Sequence, residues 1–344
     1  MANLDDFDIN GVGNPNNNVF GLPFTEEESK VVIVPVPWEV TVSFGTGTAR
    51  ATEHIFNASL QVDLYDPENP DGWKNGFFMR EADKAILLKS DFLRKEAELY
   101  INSLCQEEDV ENNKFMCKSL TDVNEGSKAM NKYVYEQTKA ILDKGQYVGL
   151  LGGDHSTPLG YWKALADKYP DFGILQIDAH CDLRVAYENF KYSHASVAYN
   201  GLEEIPQISK LVQVGIRDYS IGELEYIQSK PDRIKTYFDK DIKEQQYEGA
   251  TWKQICEDIV SNLPQNVHIS FDIDGLDPKL CPNTGTPVQG GFEAEQINYL
   301  FSTVKKSGRK IIGFDLVEVG VGGENDWDAN VGARVLWKLC NLLV

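Results

Sequence analysis

Asp178, His180 and Asp182 stand two residues apart in Asp178-Ala179-His180-Cys181-Asp182, directly after the apolar run Phe172 to Ile177. That run reads as a buried strand, and in an extended chain alternate side chains share a face. The spacing therefore predicts two carboxylates and an imidazole turned one way, with Ala179 and Cys181 turned to pack on the other side. Ionisable groups crowded together away from water need compensation, and a bound cation supplies it. The plainer alternative is a polar strand end running out into a loop. This stretch alone does not decide between the two.

Two more strand ends carry similar groups. Gly152-Gly153-Asp154-His155-Ser156 follows the short apolar run Gln146 to Leu151, and Asp272-Ile273-Asp274 follows Val267 to Phe271. In open α/β sheets, ligands bind outside the carboxyl ends of the strands. Asp272 and Asp274 are again two apart, which predicts a shared face if the strand continues through them. The pooled set is His155, Asp178, His180, Asp182, Asp272 and Asp274. Four carboxylates and two imidazoles exceed what one ion usually needs. An oxygen-rich set without thiolate suits Mn²⁺ better than structural zinc. Two ions sharing a carboxylate and a hydroxide would satisfy it, and would generate a nucleophile at neutral pH.

The elements that must position these groups alternate along the chain. Strands are predicted at Val31–Val36, at Leu60–Tyr65 (polar), and before each motif, with further strands at Leu211–Ile216 and Lys310–Phe314. Helices are predicted at 49–59, 81–104, 127–144, 158–169, 221–229, 251–262, 293–307 and 331–343. Strand–helix–strand alternation implies parallel βαβ units. Residues 1–30, rich in Asn, Gly and acid, read as an irregular lead-in. Residues 31–344 read as a single domain, with a charged helical insertion at about 66–131 that could be an oligomer contact. Phe44-Gly45-Thr46-Gly47 lacks the third glycine and the acidic partner of a dinucleotide fingerprint and reads as a turn.

The net charge of −20 argues against nucleic acid or an anionic membrane as partner. It would favour a cationic small molecule, although solubility explains it equally well. Six cysteines without a CxxC pair read as free thiols in a reducing cytoplasm. Met1 to Asn10 has neither the basic nor the apolar region of a secretory signal, and no apolar run is long enough to cross a bilayer.

The three motifs, together with Ser270-Phe271 before Asp272 and Gly275-Leu276-Asp277-Pro278 after Asp274, resemble the signatures of the ureohydrolase (arginase/agmatinase) family. The likeness extends through Thr284-Gly285-Thr286-Pro287, Gly290-Gly291 and Asp315-Leu316-Val317-Glu318-Val319. It covers most of the chain from Val31, apart from the charged region. The resemblance implies a three-layer α/β/α sandwich around a mostly parallel sheet of about eight strands. It also implies a binuclear Mn²⁺ centre held by the six residues named above. A hydroxide between the ions would attack the guanidinium carbon, and the tetrahedral intermediate would collapse to urea and an amine. Asp182 would bind metal and steady that solvent. Glu318 matches the acid that holds the guanidinium, and a buried carboxylate can do this through paired hydrogen bonds. His194, in Tyr192-Ser193-His194-Ala195-Ser196, matches a proton-shuttling histidine, a role suited to a neutral-range pKa. The family often has glycine where Ala195 stands. Trimers or hexamers are expected.

Other residues read as structural. His268 is placed as a satisfied core histidine, His54 has no role, and Asp154 and Asp277 fix loops. Asp326 and Asp328 read as solvated loop acids near Glu318. The substrate rests on divergent loops. Trp38 to Gly47 resembles the agmatinase branch, and Leu183 to Tyr192 lacks arginase's head-group loop. Arg184 follows Asp182 by two and would welcome a carboxylate rather than an amine. Asp-Leu-Arg also resembles the formiminoglutamase branch. Agmatine cleavage to putrescine and urea is the favoured reading, with arginine, a guanidino acid and formiminoglutamate as alternatives. A single-zinc deacetylase and a non-catalytic binding protein are weaker alternatives, because a second acidic pair and Glu318 are both present.

Overall fold

A computed structural model describes residues 7–322 and 326–344. Apolar, largely β-branched runs form the strands: β1 (Val31–Val36), β2 (Phe77–Met79), β3 (Tyr147–Gly152), β4 (Phe172–Ile177), β5 (Ile208–Ile216), β6 (Ile234–Phe238), β7 (Asn266–Asp272) and β8 (Lys310–Val317). Their spatial order is β2-β1-β3-β8-β7-β4-β5-β6, and every pairing is parallel. Continuous apolar runs are what a sheet covered on both faces requires. The helices are α1 (Ala51–Ser59), α2 (Lys84–Cys105), α3 (Lys114–Asp143), α4 (Leu159–Lys168), α5 (Val197–Glu204), α6 (Ile221–Ser229), α7 (Asp239–Tyr247), α8 (Trp252–Ser261), α9 (Ala294–Lys306) and α10 (Trp327–Leu342).

Two cores lie on opposite faces of the sheet. Val31 and Ile33 pack with Ile55 of α1, Ile259 of α8, Phe301 of α9 and Leu336 of α10. Val32 and Val34 pack with Leu93 of α2, Val134 of α3, Trp162 of α4 and Leu202 of α5. The result is the expected α/β/α sandwich, with all eight strands of the described sheet parallel. The four strands that end in the motifs or in Glu318 (β3, β8, β7 and β4) are its central four, so the candidate groups converge at one carboxyl-end rim. No helix among the described residues is long and apolar enough to cross a membrane. The six cysteines form no disulfide.

Several elements differ from the sequence reading. Leu60–Tyr65 is turn and loop, whereas Phe77–Met79 supplies the edge strand β2. This edge is closed by Asn18, whose side-chain amide donates to the Met79 carbonyl and accepts from the Met79 N–H. Unpaired edge groups invite pairing with other chains, so this clamp protects the sheet. Val19, Phe20 and Leu22 beside it are buried. Helix α3 starts at Lys114 rather than at 127. Gly126 lies mid-helix, where a Cβ would sit 2.2 Å from Leu93 Cδ1. β6 and α7 were not anticipated. β6 carries exposed Lys235 in its five residues, which blurs its pattern.

Glu26 ties the lead-in to the sheet edge through Arg80 (2.7 Å) and Lys144 (3.1 Å). The Arg80 hydrogen bonds outweigh burial and hold the Glu26 carboxyl down to about 2. A carboxyl depressed in the folded state contributes stability that is complete above its unfolded pKa of about 4.3 and lost as pH falls toward 2. Glu26→Gln is therefore expected to cost about 2 kcal/mol at pH 7. In denaturant melts at stepped pH, the gap from the parent should shrink between pH 4.5 and 2.

Candidate metal centre and active-site cleft

The Gly152-Gly153 pair places the first ligand. Gly153 donates to the Val36 carbonyl and Asp154 to that of Trp38, and a Cβ on Gly153 would lie 1.9 Å from Trp38 O. Only glycine permits that approach. The tight turn then carries His155 inward, where its side chain is almost fully buried. Asp154 accepts from Ser156 and fixes the loop, as expected.

The imidazole of His155 is oriented from behind. Its Nε2 lies 3.0 Å from Ser270 Oγ, which donates at 2.7 Å to Asp315 Oδ1. Because the hydroxyl proton is committed to Asp315, the His155 proton sits on Nε2. Nδ1 therefore faces Asp178 Oδ2 (3.0 Å), Asp182 Oδ2 (2.9 Å) and Asp272 Oδ2 (3.2 Å). Asp178 turns its other oxygen toward His180 Nδ1 (3.6 Å), which also lies 3.0 Å from Asp274 Oδ2. Two candidate metal positions result, one between His155, Asp178 and Asp182 and one between Asp178, His180 and Asp274. Asp178 belongs to both.

All six expected ligands thus come together, but not by simple alternation. β4 ends at Ile177, and Asp182 has a left-handed backbone with φ +52. β7 ends at Asp272, whose Oδ1 accepts the Asp274 N–H (2.8 Å) as Ile273–Gly275 coil into a 3₁₀ turn. Asp274 Oδ1 in turn accepts the Ala179 N–H at 2.9 Å. Turns and crossed hydrogen bonds therefore complete the cluster. Cys181 is buried and away from it.

The donor set fits divalent ions. His155 Nδ1 and Asp274 Oδ2 are buried without a hydrogen-bond partner, a state that polar atoms avoid unless a ligand satisfies them. Burial, followed by repulsion from Asp178, pushes the Asp182 carboxyl up to about 7, and burial with repulsion from Asp274 also raises Asp272. Burial opposes charge on His180, yet Asp274 and Asp178 drive it up to about 12. Each shift draws positive charge into the cluster, and metal ions would supply that charge directly.

Glu318 follows β8, also left-handed at φ +60. Its Oε1 accepts the His155 N–H (2.9 Å), and its backbone is pinned by Gly153 O and Thr284 Oγ1. Burial and then Asp154 raise its pKa well above the carboxylate range. The His194 N–H donates to Thr41 Oγ1 at 3.0 Å, and its Nδ1 is turned toward Thr41 and Ser193. Desolvation, reinforced by His180 and His155, pulls His194 down to about 3 rather than to the neutral range expected. It is therefore a neutral imidazole.

These groups line one cleft of about 140 Å³ with Arg184, Tyr187, Asp218, Glu223, Ser43 and Thr286. Arg184 reaches it, but its Nε lies 3.6 Å from Glu223 and its guanidinium sits on the Tyr187 ring. Asp218 and Glu223 escaped notice in the sequence. Asp218 stands just past the carboxyl end of β5, a usable signal, whereas Ser220-x-x-Glu223 advertises only a capping box. His268 is a core histidine bonded to Asp315 (2.6 Å). His54 meets Asp326. Asp328 is not solvated: it is buried and accepts the Asn283 N–H and side-chain amide, both at 2.8 Å.

An α/β/α sandwich with a carboxylate-sharing pair of metal positions at its central strand ends defines a metallohydrolase of the ureohydrolase type. The chain belongs to the arginase family, whose model matches residues 29–341. It is 29% identical over 308 residues to an N(1)-aminopropylagmatine ureohydrolase of Thermus thermophilus, covering 89% of this chain and 88% of that protein. It is also 29% identical over 211 residues to the agmatinase of Bacillus subtilis, covering 60% and 67%. Among solved structures, the agmatine ureohydrolase of Thermoplasma volcanium superposes with TM-score 0.69 at 22% identity, covering 95% and 94%. Proclavaminate amidino hydrolase of Streptomyces clavuligerus gives 0.71 at 19%, covering 97% and 98%. The chain is accordingly an agmatinase-like hydrolase of guanidino C–N bonds.

A donor chain steadies Asp178 from the far edge of the sheet. Thr236 Oγ1 donates to Gln213 Oε1 (2.9 Å), Gln213 Nε2 to Gln176 Oε1 (3.0 Å), and Gln176 Nε2 to Asp178 Oδ2 (2.8 Å). Partners behind a ligand typically change metal affinity about 10–100-fold. Gln176→Met is expected to weaken divalent-ion binding at this cluster by about tenfold, read by titration calorimetry with Mn²⁺ as the probe.

Proposed function

We propose that this enzyme cleaves agmatine to putrescine and urea with two Mn²⁺ ions per chain, which His155, Asp178, His180, Asp182, Asp272 and Asp274 would hold. The observation that carries the reading is the shared Asp178 carboxylate, with Glu318 facing the same cleft. The ions would supply a water deprotonated at neutral pH. Glu318 receives the planar cation, since a carboxylate buried beside Asp154 is stabilised most by a guanidinium. Its fixed backbone sets the direction in which the guanidinium carbon points. His194, a neutral imidazole lining the cleft, would pass a proton to the departing amine. Asp182 orients the attacking water.

The cleft's charge favours a dicationic substrate. Outside the ligand set its charged lining is Asp218, Glu223 and Glu318 against Arg184, the one guanidinium among the described residues that line it. The charge of Arg184 is largely offset by Glu223, so it weighs less against an amine tail than the sequence implied. The Thermus and Bacillus relatives, named for amine-tailed guanidines, support the same class. We place the enzyme in the cytoplasm as a homo-oligomer with no nucleic-acid or membrane partner.

Urea release from Mn²⁺-loaded enzyme should be highest with agmatine and low with arginine, 4-guanidinobutanoate and formiminoglutamate. Silence across the panel would defeat the hydrolase reading. Asp274→Ala is expected to lower kcat by at least about a thousandfold while leaving the far-UV circular dichroism unchanged; full turnover would exclude the two-ion model. Glu318→Gln should raise the KM for agmatine at least about tenfold, because one charge-assisted pair is lost.

A further inference from the structure

Arg184, Tyr187 and Glu223 line two cavities at once. One is the reaction cleft, and the other is an outer chamber of about 530 Å³ also bounded by Leu104, Glu188 and Tyr226. The shared wall is already built for a cation. The Arg184 guanidinium lies 4.7 Å from the Tyr187 ring centroid, and its Nε is 3.6 Å from Glu223 Oε2. Glu223 itself is fixed: Ser220 donates twice to Oε2 (2.9 and 2.8 Å), and the Leu183 N–H donates to Oε1 (3.2 Å). The arginine is less constrained, with its side chain 40% exposed and its Glu223 contact too long for a hydrogen bond. A fixed carboxylate and an aromatic face will accept any cation presented to them. In the outer chamber, Glu188 adds a carboxylate oxygen that is buried without a hydrogen-bond partner. Ala186, Glu188 and Asn189, with φ of +46, +53 and +67, hold it in a sharply folded loop.

We propose that Tyr187 and Glu223 form a second ammonium subsite, occupied in the free enzyme by the guanidinium of Arg184. A guanidino substrate whose amine tail carries an additional aminoalkyl group displaces Arg184 toward solvent and runs into the chamber bounded by Glu188. Arg184 is thus a displaceable stand-in for substrate charge rather than a receptor for carboxylate tails. This rests on the guanidino-amine reading above.

The test compares kcat/KM for agmatine and for agmatine extended by an aminopropyl group, with 4-guanidinobutanoate as the anionic control. Arg184→Ala should raise the extended-to-agmatine ratio several-fold by removing the resident competitor. Tyr187→Leu should lower it by about tenfold, and Tyr187→Phe, which keeps the aromatic face, should preserve it. Unchanged ratios in both Arg184→Ala and Tyr187→Leu would overturn the proposal, as would a selective loss of 4-guanidinobutanoate turnover in Arg184→Ala. Calorimetric binding of spermidine against putrescine reads the subsite without turnover. A Tyr187-dependent preference for spermidine would uphold it even if no guanidine were cleaved, and equal binding in the parent and Tyr187→Leu would refute it.

Discussion

The carboxylate of Asp178 faces two imidazoles from a fully buried position, one oxygen toward His155 and the other toward His180. Sharing one anion between two cation positions is economical in space and severe in geometry, because moving either oxygen disturbs both sites. The surrounding structure reads as a response to that constraint. Gln176 donates to one oxygen and the His180 N–H to the other (2.6 Å), while Asp178's own N–H is held by Val214 O in β5. Burial would favour the protonated acid, yet the facing imidazoles of His155 and His180 outweigh it and hold Asp178 well below the usual range. A carboxylate kept ionised at the centre of a sheet must be compensated by its neighbours. Here the neighbours are the imidazoles of His155 and His180.

This placement depends on the order of the strands. β3, β8, β7 and β4 are adjacent in space although far apart in sequence, and they are flanked by β1 and β2 on one side and β5 and β6 on the other. The central strands are the best buttressed, so a side chain at their ends is held by elements that cannot easily shift. Catalytic geometry benefits from such rigid support. The polar chain from Thr236 to Asp178 shows the flanking strands taking part as well. β6, at the edge, influences the centre through oriented amides rather than through bulk.

Much of this was legible in the sequence because the signals were local. A run of apolar residues ending in Asp-x-His-x-Asp needs no tertiary information to suggest a ligand cluster, and all six candidate residues converge. The means of convergence was not legible. Alternation was expected to align Asp178 with Asp182 and Asp272 with Asp274, but a left-handed residue and a 3₁₀ turn do so instead. β2 was hidden because its three residues pair only with β1, and Leu60–Tyr65 looked more strand-like without having a partner. Gly126 lets α3 approach Leu93, a contact invisible in the chain's own order. The burial of Asp328 likewise depends on Asn283, 45 positions away. Arg184 was expected to present a bare charge to the cleft. Its partners Glu223 and Tyr187 change what that charge means, and neither can be assigned from spacing.

Asp182 and Glu318 share a property unrelated to charge: both occupy left-handed backbone that glycine adopts freely and that costs a long side chain on the order of 1 kcal/mol or more. Stability alone would therefore favour glycine at these two positions, and drift toward a sturdier fold would erase the carboxylates that face the cleft. Each carboxylate is thus presented to the cleft at some expense in folding stability. A relative of this chain that carried glycine at both positions would be a candidate for a former enzyme, retaining the sandwich and shedding its reaction.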